Sequence, residues 1–375
     1  MVVMKKSNSD RRRKKIAIVG CVGLPANYGG FETLAENLVR YADENDDELD
    51  ILVYCSGKSY ETRLETYAGA RLIYIPLGAN GKSSLFYDLW SLTDAVRRGV
   101  DDILLLGHGG SFALPLLKKI SSVRILTNID GIEWRREKWS KLARAVLRNS
   151  EKFAVLHSDV VIADNEAIRE YVQEEYGEDC EVIPYGGDQA LNAEAMREAV
   201  TGLPENYALA LCRIEPENNV EMILRAFSEL DLPLVFVGNW NGSDYGTRLK
   251  AEYRGRANIT IHDPVYESQR LRAIRDGANM YVHGHSAGGT NPSLVEMMHF
   301  AIPVLAHGCN FNRYTTEEKA HYFTNEAELA QLVRALPDED KQRNGQAMAE
   351  IARRRYTWDR VGEAYLSLLR DQVGT

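Results

Sequence analysis

The chain has 375 residues, 45% hydrophobic and 26% charged, and its 54 acidic residues against 45 basic ones give a net charge of −9. This length predicts two or more domains with sizeable apolar cores. The acidic balance argues against a nucleic-acid-binding protein, whose affinity depends on Lys and Arg at many phosphates. The five cysteines are far apart in the sequence, which argues against a zinc knuckle or a disulfide framework and favours a reducing compartment. With neither a signal-peptide pattern nor an apolar run of about 18 residues, we expect a cytoplasmic protein.

Short apolar runs alternate with longer amphipathic segments along the whole chain. In the first half the predicted strands begin at Ile16, Ile51, Leu72, Ile103, Arg124, Val160 and Glu181. After a polar break at 186–206, the runs YALALC, PLVFVGN, ITIHDPV, NMYVHGH and PVLAHG continue the pattern. Apolar strands alternating with helices are typical of parallel sheets covered on both faces. The sequence therefore predicts an α/β fold with two doubly wound, Rossmann-like domains.

The same pattern predicts the domain boundaries. We expect a basic tail, an N-terminal domain, a linker, a second domain and a C-terminal helix at 1–15, 16–187, 188–206, 207–355 and 356–375. The last helix is predicted from an apolar stripe formed by Trp358, Val361, Tyr365, Leu368 and Leu369, and we expect it to pack back on the N-terminal domain. Since ligands of such sheets bind beyond the carboxyl ends of the strands, we expect the site in a central cleft between the two domains.

Glycines follow the first predicted strand in GCVGLPANYGGFETLAENL. The spacing is not that of the dinucleotide motif GxGxxG, and the segment lacks the Lys of a P-loop. Gly29 and Gly30 precede a helix that begins near Phe31, so its N–H groups are open to an anion or to sugar hydroxyls. The alternative is a tight turn that needs glycine.

A second glycine-rich segment, HGHSAGGTNPSLVEMM, predicts a helix start. Asn291 has the properties of an N-cap and Pro292 those of a first helical residue. Gly288, Gly289 and Thr290 precede them, so that N–H groups up to Ser293 are predicted to bind a diphosphate. Glu296 is one turn further and either accepts hydrogen bonds from a ribose diol or is a solvated helix carboxylate.

Further candidates follow other predicted strands. Arg213 comes after YALALC and is either a phosphate clamp or a surface ion pair. Asp130 and Glu133 in TNIDGIEWRREKW are placed for acid–base or substrate-orienting work, and Trp134 offers a flat face to a sugar ring; the alternative is an acid-rich helix turn. His108 stands at a similar strand end and carries a weaker signal.

The segment Lys118–Lys152 contains ten basic and four acidic residues within an acidic chain. This excess suits an anionic membrane surface or a pyrophosphate-bearing acceptor, and a solvated helix face is the alternative. No HExxH or paired-His motif is present, so we expect no metal site.

Four motifs in order, GLPANYGGFET, NIDGIEWRREKW, RIEPENN and GGTNPSLVEMM, resemble those of the retaining glycosyltransferases of family 4, which have the GT-B architecture. The N-terminal half resembles the rhamnosyltransferase-type group of capsule and O-antigen synthesis. The resemblance implies a nucleotide-sugar donor held mainly by the second domain, an acceptor held mainly by the first, and no metal or other cofactor.

The resemblance also assigns residues, with three departures from the family pattern. Glu296 matches the second Glu of the family's Glu-x7-Glu motif, and Gly288 stands in place of the first. Arg213 matches a diphosphate-binding Arg, while Asn218 replaces the accompanying Lys. Asp130 stands where many relatives have a His near the reacting carbon.

These assignments predict the function and its residues. Asp130, Arg213 and Glu296 are the expected catalytic residues. Donor contacts are expected at Gly29, Gly30, Arg213, Asn218, Gly288, Gly289, Thr290, Asn291, Ser293 and Glu296, and acceptor contacts at Tyr28, His108, Asp130, Glu133, Trp134 and Arg135. We expect transfer of a sugar from a dTDP- or UDP-linked donor, foremost rhamnose from dTDP-rhamnose, to a lipid-linked oligosaccharide or glycan. We also expect peripheral contact with the inner face of the membrane. A nucleotide-sugar 2-epimerase and a non-catalytic sugar-binding protein are the alternatives.

Overall fold

The protein is described by a computed structural model at residues 12–27, 29–46, 48–135, 140–196, 198, 200 and 202–370. The chain divides into two compact units. Unit 1 contains the residues up to Ile129, Asn149–Val161 and the residues from Gly362 onward. Unit 2 contains Asp130–Arg148 and Ile162–Val361.

The first sheet has eight strands. They are β1 Lys14–Val19, β2 Leu49–Ser56, β3 Thr66–Tyr67, β4 Ala70–Ile75, β5 Asp102–Leu106, β6 Arg124–Asn128, β7 Val160–Ala163 and β8 Glu181–Val182. Their order is β3-β4-β2-β1-β5-β6-β7-β8. Central strand β1 pairs in parallel with β2 and β5, with Ile16 opposite Ile51 and Asp102. β3 and β4 form an antiparallel pair that the sequence analysis did not predict.

The second sheet has six strands. They are β9 Tyr207–Leu211, β10 Leu234–Val237, β11 Ile259–His262, β12 Ala278–His283, β13 Val304–His307 and β14 His321–Phe323. Their order is β11-β10-β9-β12-β13-β14, and every neighbouring pair is parallel. Strand β14 was not predicted from the sequence. The predicted α/β fold with two parallel sheets is confirmed, whereas the predicted domain boundaries stay a prediction.

The described helices connect these strands. They are α1 Gly30–Asn45, α2 Ser84–Arg97, α3 Leu114–Ile120, α4 Lys141–His157, α5 Glu166–Tyr176, α6 Val220–Phe227, α7 Asp244–Tyr253, α8 Ser268–Asp276, α9 Pro292–Met298, α10 Asn310–Thr315, α11 Glu326–Ala335, α12 Asp338–Arg355 and α13 Trp358–Arg370. In α1, helical spacing buries Leu34, Leu38 and Ala42 on one face. Of the helices described, none has both the length and the apolar character needed to cross a bilayer.

The helix α13 returns the chain to unit 1. Tyr365 is fully buried and its hydroxyl accepts a hydrogen bond from Nδ2 of Asn128 at 2.7 Å. Nζ of Lys14 donates to the carbonyl oxygen of Leu369 at 2.7 Å. The predicted stripe needs one correction, because Leu366 is buried whereas Leu368 is half-buried.

Strand order reverses once in the middle of each sheet. The reversal lies between β1 and β5 in the first sheet and between β9 and β12 in the second. Open parallel sheets bind ligands outside the carboxyl ends of the strands at such a point. Each sheet therefore has one position at which a ligand-binding site is expected.

Candidate functional site

In unit 2, hydrogen bonds join the loops that follow β9 and β12. Nδ2 of Asn219 donates to the carbonyl oxygen of Gly284 at 2.8 Å. Asn218 is 2% exposed and its Nδ2 donates to the carbonyl oxygen of Arg213 at 2.7 Å. The amide NH2 of Asn218 thus supports the main chain of Arg213, and the predicted donor contact of Asn218 stays a prediction.

The Arg213 side chain itself is accessible. It is 53% exposed, and its Nε lies 3.9 Å from Oε2 of Glu215. An exposed pair at this distance holds a guanidinium weakly. Arg213 is thus available to an anionic ligand at the carboxyl end of β9.

The predicted start of α9 is confirmed. Asn291 is the N-cap, its Oδ1 accepts from the N–H of Ser293 at 3.1 Å, and Pro292 is the first helical residue. The Ser293 hydroxyl also donates to Oδ1 of Asn291 at 2.8 Å and accepts from Tyr281 at 3.0 Å. The polar groups of Ser293 are therefore committed within the protein, which narrows the predicted set of diphosphate donors.

Thr290 is likewise engaged by the protein. It is 5% exposed, its hydroxyl donates to the carbonyl oxygen of Asp164, and its N–H donates to the Asp164 carboxyl group. Since Pro292 has no N–H, the N–H groups of Gly288, Gly289 and Asn291 are those in this stretch that donate to no described residue and could serve a ligand.

Two distant motifs meet at this loop. A Cβ atom on Gly131 would lie 3.0 Å from Cα of Gly288 and 3.3 Å from the nitrogen of Gly289, so the two backbones are in contact. Asp130 precedes this contact with a φ of 60°, in the left-handed region. A Cβ atom on Gly289 would in turn collide with the Asp164 carboxyl group. Glycine thus allows the close approach at Gly131, and at Gly289 it avoids a direct collision with the Asp164 side chain.

Asp164 is a further residue of this site that was not predicted from the sequence. Its Oδ1 is buried with no hydrogen-bond partner among the residues that the structure describes. Burial, and secondarily the negative charge of Asp130, raises the pKa of Asp164 to about 8. The available signal was an acid at the carboxyl end of the predicted strand VVIAD.

Asn165 anchors the same loop from the other side. It caps α5, where its Oδ1 accepts from the N–H of Ala167 at 3.0 Å. Its Nδ2 lies 3.3 Å from Oγ1 of Thr290, 3.2 Å from the carbonyl oxygen of Phe311 and 3.1 Å from Oγ1 of Thr315. One buried amide therefore links α5, α10 and the loop before α9.

Glu296 is not a solvated helix carboxylate. Its Oε1 accepts from Nε2 of Gln189 at 2.8 Å, and its Oε2 pairs with the guanidinium of Arg275, which is 6% exposed. Gln189 is held in turn, since its Oε1 accepts from Nε1 of Trp358 at 2.7 Å. The Glu296 carboxylate is thus oriented by two side chains before any ligand binds.

In the NIDGIEW segment, Trp134 contacts other side chains of the protein, and its predicted contact with a sugar stays a prediction. Its Nε1 donates to the hydroxyl of Tyr171 at 3.3 Å. The guanidinium carbons of Arg135 and Arg148 lie 5.3 Å and 5.1 Å from the centroid of its ring. The ring therefore interacts with two cations, while the neighbouring Glu133 is half-buried.

In unit 1, Gly29 and Gly30 form the predicted start of α1, but a carboxylate already lies there. Glu32 is 7% exposed and its Oε1 accepts from the N–H of Val22 at 2.6 Å. A Cβ atom on Gly29, where φ is 116°, would collide with Oε2 of Glu32. Of the two ligands expected at this helix start, an anion or sugar hydroxyls, the Glu32 carboxylate favours the hydroxyls because it would repel an anion. The candidate Tyr28 lies outside the described residues.

Part of the predicted basic excess is neutralised by acids outside the segment. Lys118 pairs with Asp159 at 2.5 Å, Arg124 pairs with Asp102 at 3.2 Å, and Arg148 pairs with Glu175. Two further members, Arg136 and Lys138, lie outside the described residues. The local charge available to a partner is therefore smaller than composition indicates.

Two family models match the chain. Residues 192–355 match "Glycosyl transferases group 1", and residues 13–188 match "Domain of unknown function (DUF1972)". No curated protein matches the sequence significantly.

Solved structures resemble nearly the whole chain. Sucrose-phosphate synthase from Thermosynechococcus elongatus aligns at a TM-score of 0.78 and 16% identity, over 96% of this chain and 98% of that one. HepE from Anabaena in complex with UDP and glucose aligns at 0.72 and 15%, over 96% and 100%. The α,α-trehalose 6-phosphate synthase of Burkholderia multivorans aligns at 0.70 and 11%, over 96% and 97%. At these identities the likeness shows the shared fold.

Proposed function

Because this chain is a glycosyltransferase with the GT-B architecture, we propose that it is a retaining enzyme of family 4 that uses a nucleotide-diphospho-sugar. The donor we propose is dTDP-rhamnose, and the acceptor is a lipid-linked oligosaccharide or glycan of a cell-surface polysaccharide. The assignment to family 4 rests on the four motifs, and the choice of rhamnose rests on the resemblance of the N-terminal half to the rhamnosyltransferase-type group. UDP is bound in the HepE complex, which supports a nucleotide-linked donor.

One observation carries the proposal. The NIDG and GGTNPS motifs lie far apart in the sequence, yet the backbones of Gly131 and Gly288–Gly289 are in contact in unit 2. This contact brings Asp130 beside a glycine-rich helix start, and the Arg213 loop is attached to the same end of the sheet through Gly284. A diphosphate at the loop would meet N–H groups and one guanidinium, and the sugar attached to it would meet Asp130.

In the proposed reaction, the anomeric C–O bond of the donor breaks and its electron pair moves to the diphosphate oxygen. Arg213 and the N–H groups of Gly289 and Asn291 stabilise that charge, which preorganised dipoles do effectively. The acceptor oxygen forms the new bond on the same face, and its proton passes to the leaving phosphate. Asp130 stabilises the positive charge that develops on the sugar, and Glu296 binds the donor ribose.

A buried carboxyl group beside a diphosphate is unfavourable if it is ionised. Burial raises the pKa of Asp164 to about 8, so the group is protonated at neutral pH. The neutral form adds no negative charge to the loop. Its neighbour Asp130 remains the acid that we propose for the sugar.

We further propose that unit 1 contacts the anionic membrane surface that would carry a lipid-linked acceptor. On α2, Phe86 and Trp90 are 63% and 51% exposed, and on α3, Leu116 and Ile120 are 61% and 66% exposed. Lys119 is exposed on the same short helix. Apolar side chains next to a cation suit an interface of acyl chains and anionic headgroups. Co-sedimentation with vesicles that contain anionic lipid, compared with neutral vesicles, tests this contact.

A thermal-shift panel of dTDP-, UDP- and GDP-sugars tests the proposed donor. A bound donor raises the melting temperature with the logarithm of its concentration, and we expect the largest shift with dTDP-rhamnose. In a transfer assay with the best donor, Arg213→Ala and Asp130→Asn should each lower kcat at least about tenfold. A flat panel contradicts the proposed donor class, and two variants with wild-type rates contradict the proposed roles.

A further inference from the structure

Unit 1 contains a second cluster of polar groups, at the point where strand order reverses between β1 and β5. The loop Gly107–Ser111 follows β5, and α2 packs against it. Asp88 of α2 is 8% exposed, and a Cβ atom on Gly109 would collide with its Oδ2. A Cβ atom on Gly110 would lie 2.8 Å from Cβ of Asp88. Glycine at both positions lets the main chain lie directly on this carboxyl group.

Nothing in the described structure satisfies that carboxyl group. Asp88 makes no hydrogen bond or ion pair with any described residue, and burial raises its pKa to about 7. The neighbouring Ser111 is fully buried, and its hydroxyl also lacks a partner among the described residues. Buried polar groups are nearly always hydrogen-bonded, so the buried Ser111 hydroxyl and the nearly buried Asp88 carboxyl group on α2 require an explanation.

The surroundings limit the kind of ligand that would satisfy them. A Cβ atom on Gly107 would lie 3.3 Å from the ring of Phe31, so the loop adjoins the start of α1. There the Glu32 carboxylate accepts a hydrogen bond from the N–H of Val22 at 2.6 Å. Two carboxyl groups disfavour an anion, and an aromatic ring beside hydrogen-bonding groups suits a sugar.

We propose that Asp88 accepts a hydrogen bond from a hydroxyl group of a carbohydrate acceptor, with Ser111 beside it, in a subsite at the carboxyl ends of β1 and β5. This inference rests on the proposed glycosyl transfer for the identity of the ligand as the acceptor. It places a specificity-determining residue in the domain of unknown function. The position is the one at which an open parallel sheet binds ligands.

The isosteric change Asp88→Asn tests the subsite. A panel of octyl glycosides of common hexoses serves as the probe, with the best donor from the thermal-shift panel. We expect the KM for the best glycoside to rise at least about tenfold, while kcat, the nucleotide Kd and donor hydrolysis without acceptor stay within about twofold of the wild type. Ser111→Ala should raise the same KM by about threefold.

Asp94→Asn is the matched control on the same helix. Asp94 pairs with Arg98 at 2.6 Å and accepts from the hydroxyl of Tyr54 at 2.9 Å, so its amide variant should leave the acceptor KM unchanged. An unchanged KM in Asp88→Asn overturns the subsite, as does a loss of nucleotide affinity that matches the loss of acceptor affinity.

Direct binding separates this inference from the proposed function. Saturation-transfer NMR detects the octyl glycosides on the wild type without a donor, and the signal should be lost in Asp88→Asn. A wild type that binds a glycoside but transfers no sugar contradicts the proposed function alone. A wild type that binds no member of the panel overturns the subsite.

Discussion

Asp88 and Asp164 are two acids, one in each unit, whose pKa is raised by burial into the neutral to mildly alkaline range. The pKa is raised to about 7 for Asp88 and to about 8 for Asp164. Each carboxyl group lies so close to a glycine that a Cβ atom on that glycine would collide with it. The local sequence, a helix for Asp88 and a strand end for Asp164, does not predict these pKa shifts. The residues that bury each acid come from loops distant in the sequence.

The raised pKa of Asp88 predicts a pH-dependent stability. Its pKa rises from 3.8 to about 7 on folding, so the unfolded chain releases this proton first as pH rises. The group therefore lowers the free energy of unfolding between about pH 4 and pH 7, by at most about 4 kcal/mol. Urea unfolding at pH 5 and pH 8 should show a smaller decline in Asp88→Asn than in the wild type. A decline equal to that of the wild type would mean that Asp88 ionises normally.

The raised pKa of Asp164 predicts a pH-dependent nucleotide affinity. Above about pH 8 its carboxyl group ionises beside the loop that we propose for the diphosphate, and Asp130 is the neighbouring charge. We expect dTDP or UDP to bind about three- to tenfold more weakly at pH 9 than at pH 7. Calorimetry on Asp164→Asn should give a flat profile over this range. If the variant retains the wild-type slope, another group is responsible.

At the scale of elements, what the sequence predicts well is local. The Asn291–Pro292 start of α9 needs no distant partner, and the apolar runs of the parallel strands reveal their own burial. The surroundings of two candidate residues depend on distant partners. Trp134 is contacted by Arg148 from α4, and the Glu296 carboxylate is paired with Arg275 from α8. Spacing identifies a candidate side chain, but not the distant cation that reaches it.

Two asparagine N-caps allow the contribution of local capping to the free energy of unfolding to be separated from that of distant hydrogen bonds. Asn165 is 3% exposed and joins three segments, whereas Asn325 is an exposed cap whose Oδ1 accepts from the N–H of Glu328 at 3.0 Å. Asn325→Ala should cost about 1 kcal/mol. Asn165→Ala should cost about 2–3 kcal/mol, because it also leaves buried acceptors unpaired. Chemical denaturation of both variants measures the difference, and equal costs would show that the buried links contribute nothing net.

At the scale of the molecule, the units are not consecutive stretches of sequence. Unit 2 takes residues 130–148 in addition to 162–361, and α13 from Gly362 onward belongs to unit 1. Alternation of strands and helices predicts the two sheets because each strand carries its own pattern. It does not predict that the segment after β6 belongs with the second sheet's unit, since that depends on the contact between Gly131 and Gly288.

A chain that ends at Val361 should weaken unit 1 selectively. It lacks Tyr365 and Leu369, which are buried in that unit, and the acceptor for Lys14. We expect hydrogen exchange to increase in β1 and β6, with β9 to β13 remaining protected. The variant Ser367→Ala, an exposed change in the same helix, serves as the control. A uniform loss of protection would show that the two units unfold as one.

The packing of α13 in unit 1 also affects the order in which parts of the protein can fold during synthesis. A ribosome completes Ile162–Val361 before it makes the side chains that fill the groove beside Tyr41 and Asn128. Domains generally fold as units during translation, so the first sheet, although made first, acquires its last packing partner after the second sheet is complete. We therefore expect the early half of this protein to expose apolar surface during synthesis until the residues from Gly362 onward have been made.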